Sequence, residues 1–301
     1  MTATAIGALG VSTSGIFVDL SNTSPGTASF FRCALALPVL APFAYAEYRR
    51  LGRLDRGQLA WAMVAGVLFA ADALLWTQAI YEVGAGLSAV LVNAQVFIVP
   101  LLAAVIDHER LGRTFQVLLP VIVVGILLTG GIFESGVTGT SPTAGTIHAI
   151  LAALCYSCFL FVLRRGGSDQ PLVQSYTVVM VTAALASAAG GALWHGVTLA
   201  PGWRALGWLA LTAMCGQVLG WLLVALTTAR LPVEVGAGLL MITPVAALVL
   251  AAVFLDQEPS LLQIAGCTLV LAAAYAIATV KRRSRPSRLE RGSPDVARFM
   301  S

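Results

Sequence analysis

Val233–Gly266, VEVGAGLLMITPVAALVLAAVFLDQEPSLLQIAG, reads as an apolar helix carrying Pro244, an acidic corner at Asp256–Pro259, and the start of a second apolar helix. A relative stands earlier in the chain at Tyr81–Arg113, YEVGAGLSAVLVNAQVFIVPLLAAVIDHERLGR. A shift of 149 residues sets Asp107 on Asp256, Glu109 on Glu258 and Gln95 on Pro244. The hexapeptide EVGAGL also recurs, at Glu82–Leu87 and Glu234–Leu239, but at a shift of 152. The difference is less than one helical turn, so a small insertion lies between the two features. A repeat this long is read before any fold is named, because each copy is a structural unit.

Around this repeat the chain is 58% hydrophobic and only 11% charged over 301 residues, with a mean hydropathy of +0.87. Soluble domains carry roughly 25% charged residues, so the composition is that of an integral membrane protein. The charges fall between apolar runs of about 17–25 residues, the length that crosses a bilayer core as a helix. The runs are apolar on every side, which excludes the alternating strands of a β-barrel. Ten spans fit, at about 4–20, 27–45, 58–79, 84–105, 115–132, 145–163, 173–194, 204–226, 233–255 and 260–280. The opening MTATAIGALG has no basic residue ahead of its apolar run, so a first span is expected there and not a cleaved leader.

Orientation follows from lysine and arginine in the loops. With both termini in the cytoplasm, Arg49, Arg50, Arg53, Arg56, Arg110, Arg113, Arg164, Arg165, Arg230 and the tail from Lys281 onward all lie inside. Arg204 alone falls outside, and Arg32 lies within a span. Five spans per half is an odd number, so the second half enters the membrane inverted. That explains why the corner at Asp107–Arg113 is basic while its counterpart at Asp256–Pro259 carries no lysine or arginine. The expected architecture is an all-α integral membrane fold of ten transmembrane helices in two inverted five-helix repeats. The first repeat covers 1–132, an external linker 133–144, the second repeat 145–280, and a basic cytoplasmic tail 281–301. The expected location is the cell (inner) membrane.

The order of short motifs carries a resemblance. Ser24-Pro25 precedes Phe31-Arg32, and Glu109-Arg110-Leu111 forms the first corner. The second half has Gln217-x-x-Gly220-Trp221, Thr243-Pro244, Glu258-Pro259 and Gln263-x-x-Gly266. Over about 1–280 the chain resembles tandem EamA domains of the drug/metabolite transporter superfamily. One departure is Gln95, where that family often has proline; here Pro100 is the nearest one, so a kink is expected further along the span. The resemblance implies a secondary transporter, and export of a small metabolite, an amino acid or a hydrophobic amine.

Several residues stand out on chemical grounds. Asp72 lies mid-span in LFAADALLWTQ with no basic neighbour in sequence. A carboxylate there costs about 2.5–3.5 kcal/mol on insertion scales, and such groups face a wet cavity or a partner. It is a candidate for proton coupling, or a counter-charge for a cationic substrate; the plainer role is a hydrogen bond between helices. Trp76 lies one helical turn on, and Gln217 with Trp221 repeats that spacing in the second half. Asn93, Gln95 and Thr243 add uncharged polar groups near the interruptions that Pro100 and Pro244 make. These residues are expected to line a substrate pocket, against the competing readings of interfacial tryptophans and packing kinks. Asp19 and Arg32 are read as an external charge pair, or Arg32 as an anchor for an anionic substrate group. Ser260 and Gln263 form a capping box, and Gly216-x-x-x-Gly220 a close-packing signal.

No residue is assigned a catalytic role, and no cofactor, metal site or nucleic-acid partner is expected. His108, His148 and His195 are scattered, Cys155-x-x-Cys158 has no second pair, and there is no phosphate-binding loop. The expected partners are a small-molecule substrate and the lipid bilayer, with a homodimer compatible. The rival reading is an intramembrane serine protease using Ser88, in Gly86-x-Ser88, and His148, which requires the two within hydrogen-bond reach.

Overall fold

The structure, a computed structural model, describes residues 2–108, 111–134, 140–165, 171–220 and 233–283. Trp221, Glu109, Arg110, part of the linker and most of the basic tail lie outside the described residues. Every element among the described residues is helical: α1 (Thr2–Ser21), α2 (Pro25–Ala34), α3 (Leu37–Leu51), α4 (Arg56–Val83), α5 (Ala85–Val92), α6 (Gln95–Ile106), α7 (Arg113–Thr129), α8 (Pro142–Arg165), α9 (Leu172–Trp194) and α10 (Trp203–Thr212). A π-helical segment, Ala213–Gly220, follows α10; α11 (Val233–Phe254) and α12 (Leu261–Arg283) complete the chain. Among the described residues five stretches are long and apolar enough to cross a bilayer: Pro25–Leu51, Arg56–Val83, Ala85–Ile106, Pro142–Leu163 and Leu172–Trp194. The chain is a multi-pass membrane protein.

Local sequence explains the helix ends. Ser24 caps α2 by accepting from the Thr27 N–H at 3.2 Å, with Pro25 at the first helical position. Asp55 and Gln58 close a reciprocal box at the start of α4. Ser260 and Gln263 do the same before α12, where the Gln263 N–H donates to Ser260 Oγ and the Ser260 N–H to Gln263 Oε1. The stretch expected as one second span is two helices. Leu35 and Ala36 turn between them, and Pro38 opens α3.

The fourth span is also divided, and the position differs from the expectation. The break comes at Asn93–Ala94, more than a turn before Pro100, which lies inside α6. There the backbone tightens: the Asn93 and Ala94 N–H groups donate to Val90 and Leu91, and those of Val96 and Phe97 to Asn93 and Ala94. Proline withdraws one donor and crowds the carbonyl four residues before it, that of Val96; the break at Asn93–Ala94 lies upstream of that reach. The ninth-span helix runs through Pro244 without a break.

The halves interleave. α1 packs on α10, on the π-helical segment and on α11; α4 packs on α8 and α9; α5 meets α11, α7 meets α12, and α2 meets α9. Small residues permit these approaches. A Cβ at Gly26 would lie 2.6 Å from Gly191 Cα, and one at Gly220 would lie 2.5 Å from Val11 Cγ2. Apolar side chains such as Val105, Val117, Leu185 and Leu261 point outward, as expected of a surface wetted by hydrocarbon.

Candidate functional site

A cavity of 330 Å³ lies where α1, α2, α4, α5, the start of α6, α8, α11 and the π-helical segment converge. Asp72, Trp76, Asn93, Gln95, Gln217 and Thr243 all line it, together with Pro244. Helical spacing and the repeat group these residues in the sequence; the packing of α1 and α4 against the opposite half is what brings them together.

Arg32 lines the same cavity and is only 6% exposed. It does not pair with Asp19: among the described residues the ion pairs are His148–Glu82 and Arg165–Asp107. Asp19 is half-buried at the end of α1, outside the cavity lining. Two residues ending neighbouring helices can share a level in the membrane yet face different ways, and α2 turns Arg32 inward. Its guanidinium lies 4.9 Å from the Trp76 ring centre and 5.7 Å from that of Phe69. In the orientation that satisfies both ends of its amide, Gln217 accepts from Arg32 Nη2 at 2.6 Å and Nε at 3.0 Å, and its NH2 donates to Tyr176 Oη at 3.1 Å. Tyr176 in turn donates to the Gln217 carbonyl at 3.1 Å. Arg32 Nη1 is buried with no hydrogen-bond partner. Asp72, also 6% exposed, has Arg32 as the charge acting on it, without a direct contact.

The rest of the wall is apolar and close-fitting. A Cβ at Gly15 would touch Trp76 at 3.4 Å, so the α1 glycine makes room for the indole. Ser12 Oγ donates to the Thr243 carbonyl at 2.9 Å and joins α1 to α11 beside Pro244. Gln95 Oε1 is buried without a partner. Tyr156 and Phe69 line the cavity and were not expected; Phe69 precedes Asp72 by three residues, a same-face spacing that was legible. Trp221, expected here, lies outside the described residues.

The protease reading fails on geometry. The Ser88 hydroxyl is fully buried and donates to the Ala85 carbonyl at 3.0 Å, while His148 Nδ1 contacts Glu82 Oε2 at 2.5 Å. Each group is committed elsewhere, so no nucleophile and base meet.

No curated protein matches the chain in sequence. A crystal structure titled only as that of a protein is similar, with a TM-score of 0.58 at 20% identity; the match covers 94% of this chain and 99% of that one. At that identity it speaks for the fold alone. The model of the EamA-like transporter family matches residues 1–131 and again 143–279, one unit on each half of the repeat. With both halves matched and the cavity lying between them, the chain belongs to the EamA-like transporter family, within the drug/metabolite transporter superfamily.

Proposed function

We propose that the protein is a secondary active exporter that carries a small amphoteric metabolite, of the amino-acid type, by alternating access. The observation that carries this reading is that Arg32 and Asp72 line one cavity without touching, with Arg32 Nη1 buried and unpartnered. An unpaired buried donor on a charged group is costly, and a substrate carboxylate removes that cost by bridging the guanidinium. Asp72 supplies the counter-charge for a substrate ammonium, and Trp76 with Phe69 an apolar or aryl contact. A hydrophobic amine satisfies Asp72 but leaves Arg32 Nη1 bare, so the geometry favours the amino acid over the amine.

The proposed frame is ten spans in two inverted repeats, 1–132 and 145–280, joined by an external linker, with the tail 281–301 and both termini in the cytoplasm of an inner-membrane protein. Pairwise contacts support it. Exchanging the halves turns the α1 packing on α10 and on the π-helical segment into that of α8 on α4, and leaves α5 with α11 and α7 with α12 unchanged. Polar groups at a repeat interface, beside interrupted helices, are where transporters of this kind hold substrate. Asp72 is the proposed proton carrier.

Reconstituted vesicles test both parts. Counterflow of labelled amino acids should be saturable in wild type and lost in Arg32→Gln. Asp72→Asn should keep counterflow at reduced affinity and lose uphill movement driven by a pH gradient. Unchanged counterflow in Arg32→Gln would remove the anion anchor, and undiminished gradient-driven transport in Asp72→Asn would remove the carrier.

A further inference from the structure

Away from the cavity, the last turn of α3, the loop after it and the start of α4 carry Arg49 and Arg50, Arg53, and Arg56, all exposed. The two acids of this stretch are already engaged by backbone: Glu47 Oε2 accepts from the Gln174 N–H at 2.7 Å, and Asp55 Oδ1 from the Gln58 N–H at 2.7 Å. None of the four arginines takes part in an ion pair among the described residues. The positive charge here therefore has no carboxylate in ion-pair contact among the described residues.

The site is built, not just charged. Gly52, at φ +84, turns the chain sharply, and Gln174 Nε2 donates to its carbonyl at 3.1 Å, tying the turn to α9. Arg53 is held 6.0 Å from the Tyr48 ring centre, and the Tyr45 and Tyr48 rings lie 6.2 Å apart. A shallow groove of 280 Å³ opens between α3 and α9, lined by Ala44, Tyr45, Arg53, Leu54 and Val178. Arg49 joins Arg53 and the two tyrosines around an adjoining hollow. Phe43 and Tyr45, 54% and 60% exposed, continue the apolar surface away from the arginines.

We propose that this groove binds one anionic phospholipid, its phosphodiester on Arg49 and Arg53 and the root of an acyl chain along Ala44 and Val178. The paired guanidinia suit phosphate oxygens. The tyrosines have the amphipathic form found at headgroup level. An apolar groove beside the arginines gives a lipid's acyl chain a contact that a free phosphate cannot use. The site is separate from the transport cavity, so its loss should leave substrate binding intact.

Native mass spectrometry of the full chain, with phosphatidylglycerol titrated against phosphatidylcholine, tests this. Each arginine near a membrane surface contributes about fivefold in affinity for an anionic lipid, so Arg49→Gln/Arg53→Gln should weaken phosphatidylglycerol retention roughly 25-fold. Arg50→Gln/Arg56→Gln removes the same charge outside the groove and should cost less than about fivefold. Tyr48→Leu, which removes the ring under Arg53, gives an independent reading should the first double variant fail to fold; it should weaken retention severalfold. Equal loss in both double variants would reduce the site to diffuse surface charge. Retention unaffected by Arg49→Gln/Arg53→Gln or by Tyr48→Leu, or displacement of the lipid by millimolar inorganic phosphate, would overturn the proposal.

Discussion

Arg32 shows what a single residue contributes. Its Nε and Nη2 are held by Gln217, its planar face lies near Trp76, and Nη1 is left over. Replacing Trp76 by alanine removes that aromatic partner and part of the cavity wall. The loss of wall should weaken substrate binding by about tenfold, and the lost cation–π contact, internal to the protein, should cost roughly 0.5–2 kcal/mol of stability. A thermal-shift titration reads the first as a higher ligand concentration for the same stabilisation and the second as a lowered unliganded melting point. Gly220 acts through size. A valine there would collide with Val11 and with the Cys215 carbonyl, 2.7 Å from the added Cβ. Overpacking of this sort costs about 1–3 kcal/mol, and it should appear as a lowered melting temperature in detergent. Gly216-x-x-x-Gly220 was legible as a packing signal because absence of a side chain is itself a statement about a neighbour's distance. The identity of that neighbour, α1, was not.

At the scale of the element, the two caps and the α4–α5 junction carry different weights. Ser260→Ala removes one capping acceptor and should cost about 1 kcal/mol. Gly84 is more demanding. It sits at φ +94 between α4 and α5, and a Cβ would lie 2.8 Å from Gln257 Oε1. Gln257 also accepts from the Gly86 N–H at 3.2 Å, so the acidic corner of the second half is seated on the junction of the first. Gly84→Ala should therefore destabilise more than Ser260→Ala. Adding Gln257→Ala should recover only part of the loss, because the clash is relieved and the backbone strain is not. Melting curves of the single and double variants give the comparison. Helix boundaries followed from capping residues and proline, as at Ser24-Pro25 and Ser260. The break at Asn93–Ala94 did not, since a proline marks where a donor is missing while the surrounding packing selects where the chain yields.

Across the whole molecule, the proposed cycle requires the halves to move against one another about the cavity. α5 and α11 meet directly between the halves, and a Cβ on Gly86 would lie 3.1 Å from that of Ala251. Disulfides need a Cβ separation of about 3.5–4.5 Å, which a few tenths of an ångström of helix relaxation supplies. In a chain stripped of its five native cysteines, Gly86→Cys/Ala251→Cys should cross-link on oxidation and stop transport. Reductant should restore it. Transport that continues at the wild-type rate with the cross-link complete would show that these helices do not separate during turnover.

By itself the sequence determined that this chain is helical, apolar and duplicated. Those properties are periodic or compositional, and a bilayer admits few other ways to satisfy a peptide backbone. It also marked Asp72, Trp76, Asn93, Gln95, Gln217 and Thr243, because polar groups inside apolar helices stand out against their surroundings. Only the tertiary structure decided that Arg32 turns from Asp19 toward Gln217 and Trp76, and that Ser88 and His148 are occupied elsewhere. Facing is set by how helices from opposite halves rotate as they pack, and that rotation is a sum over many small contacts that no single stretch of chain records.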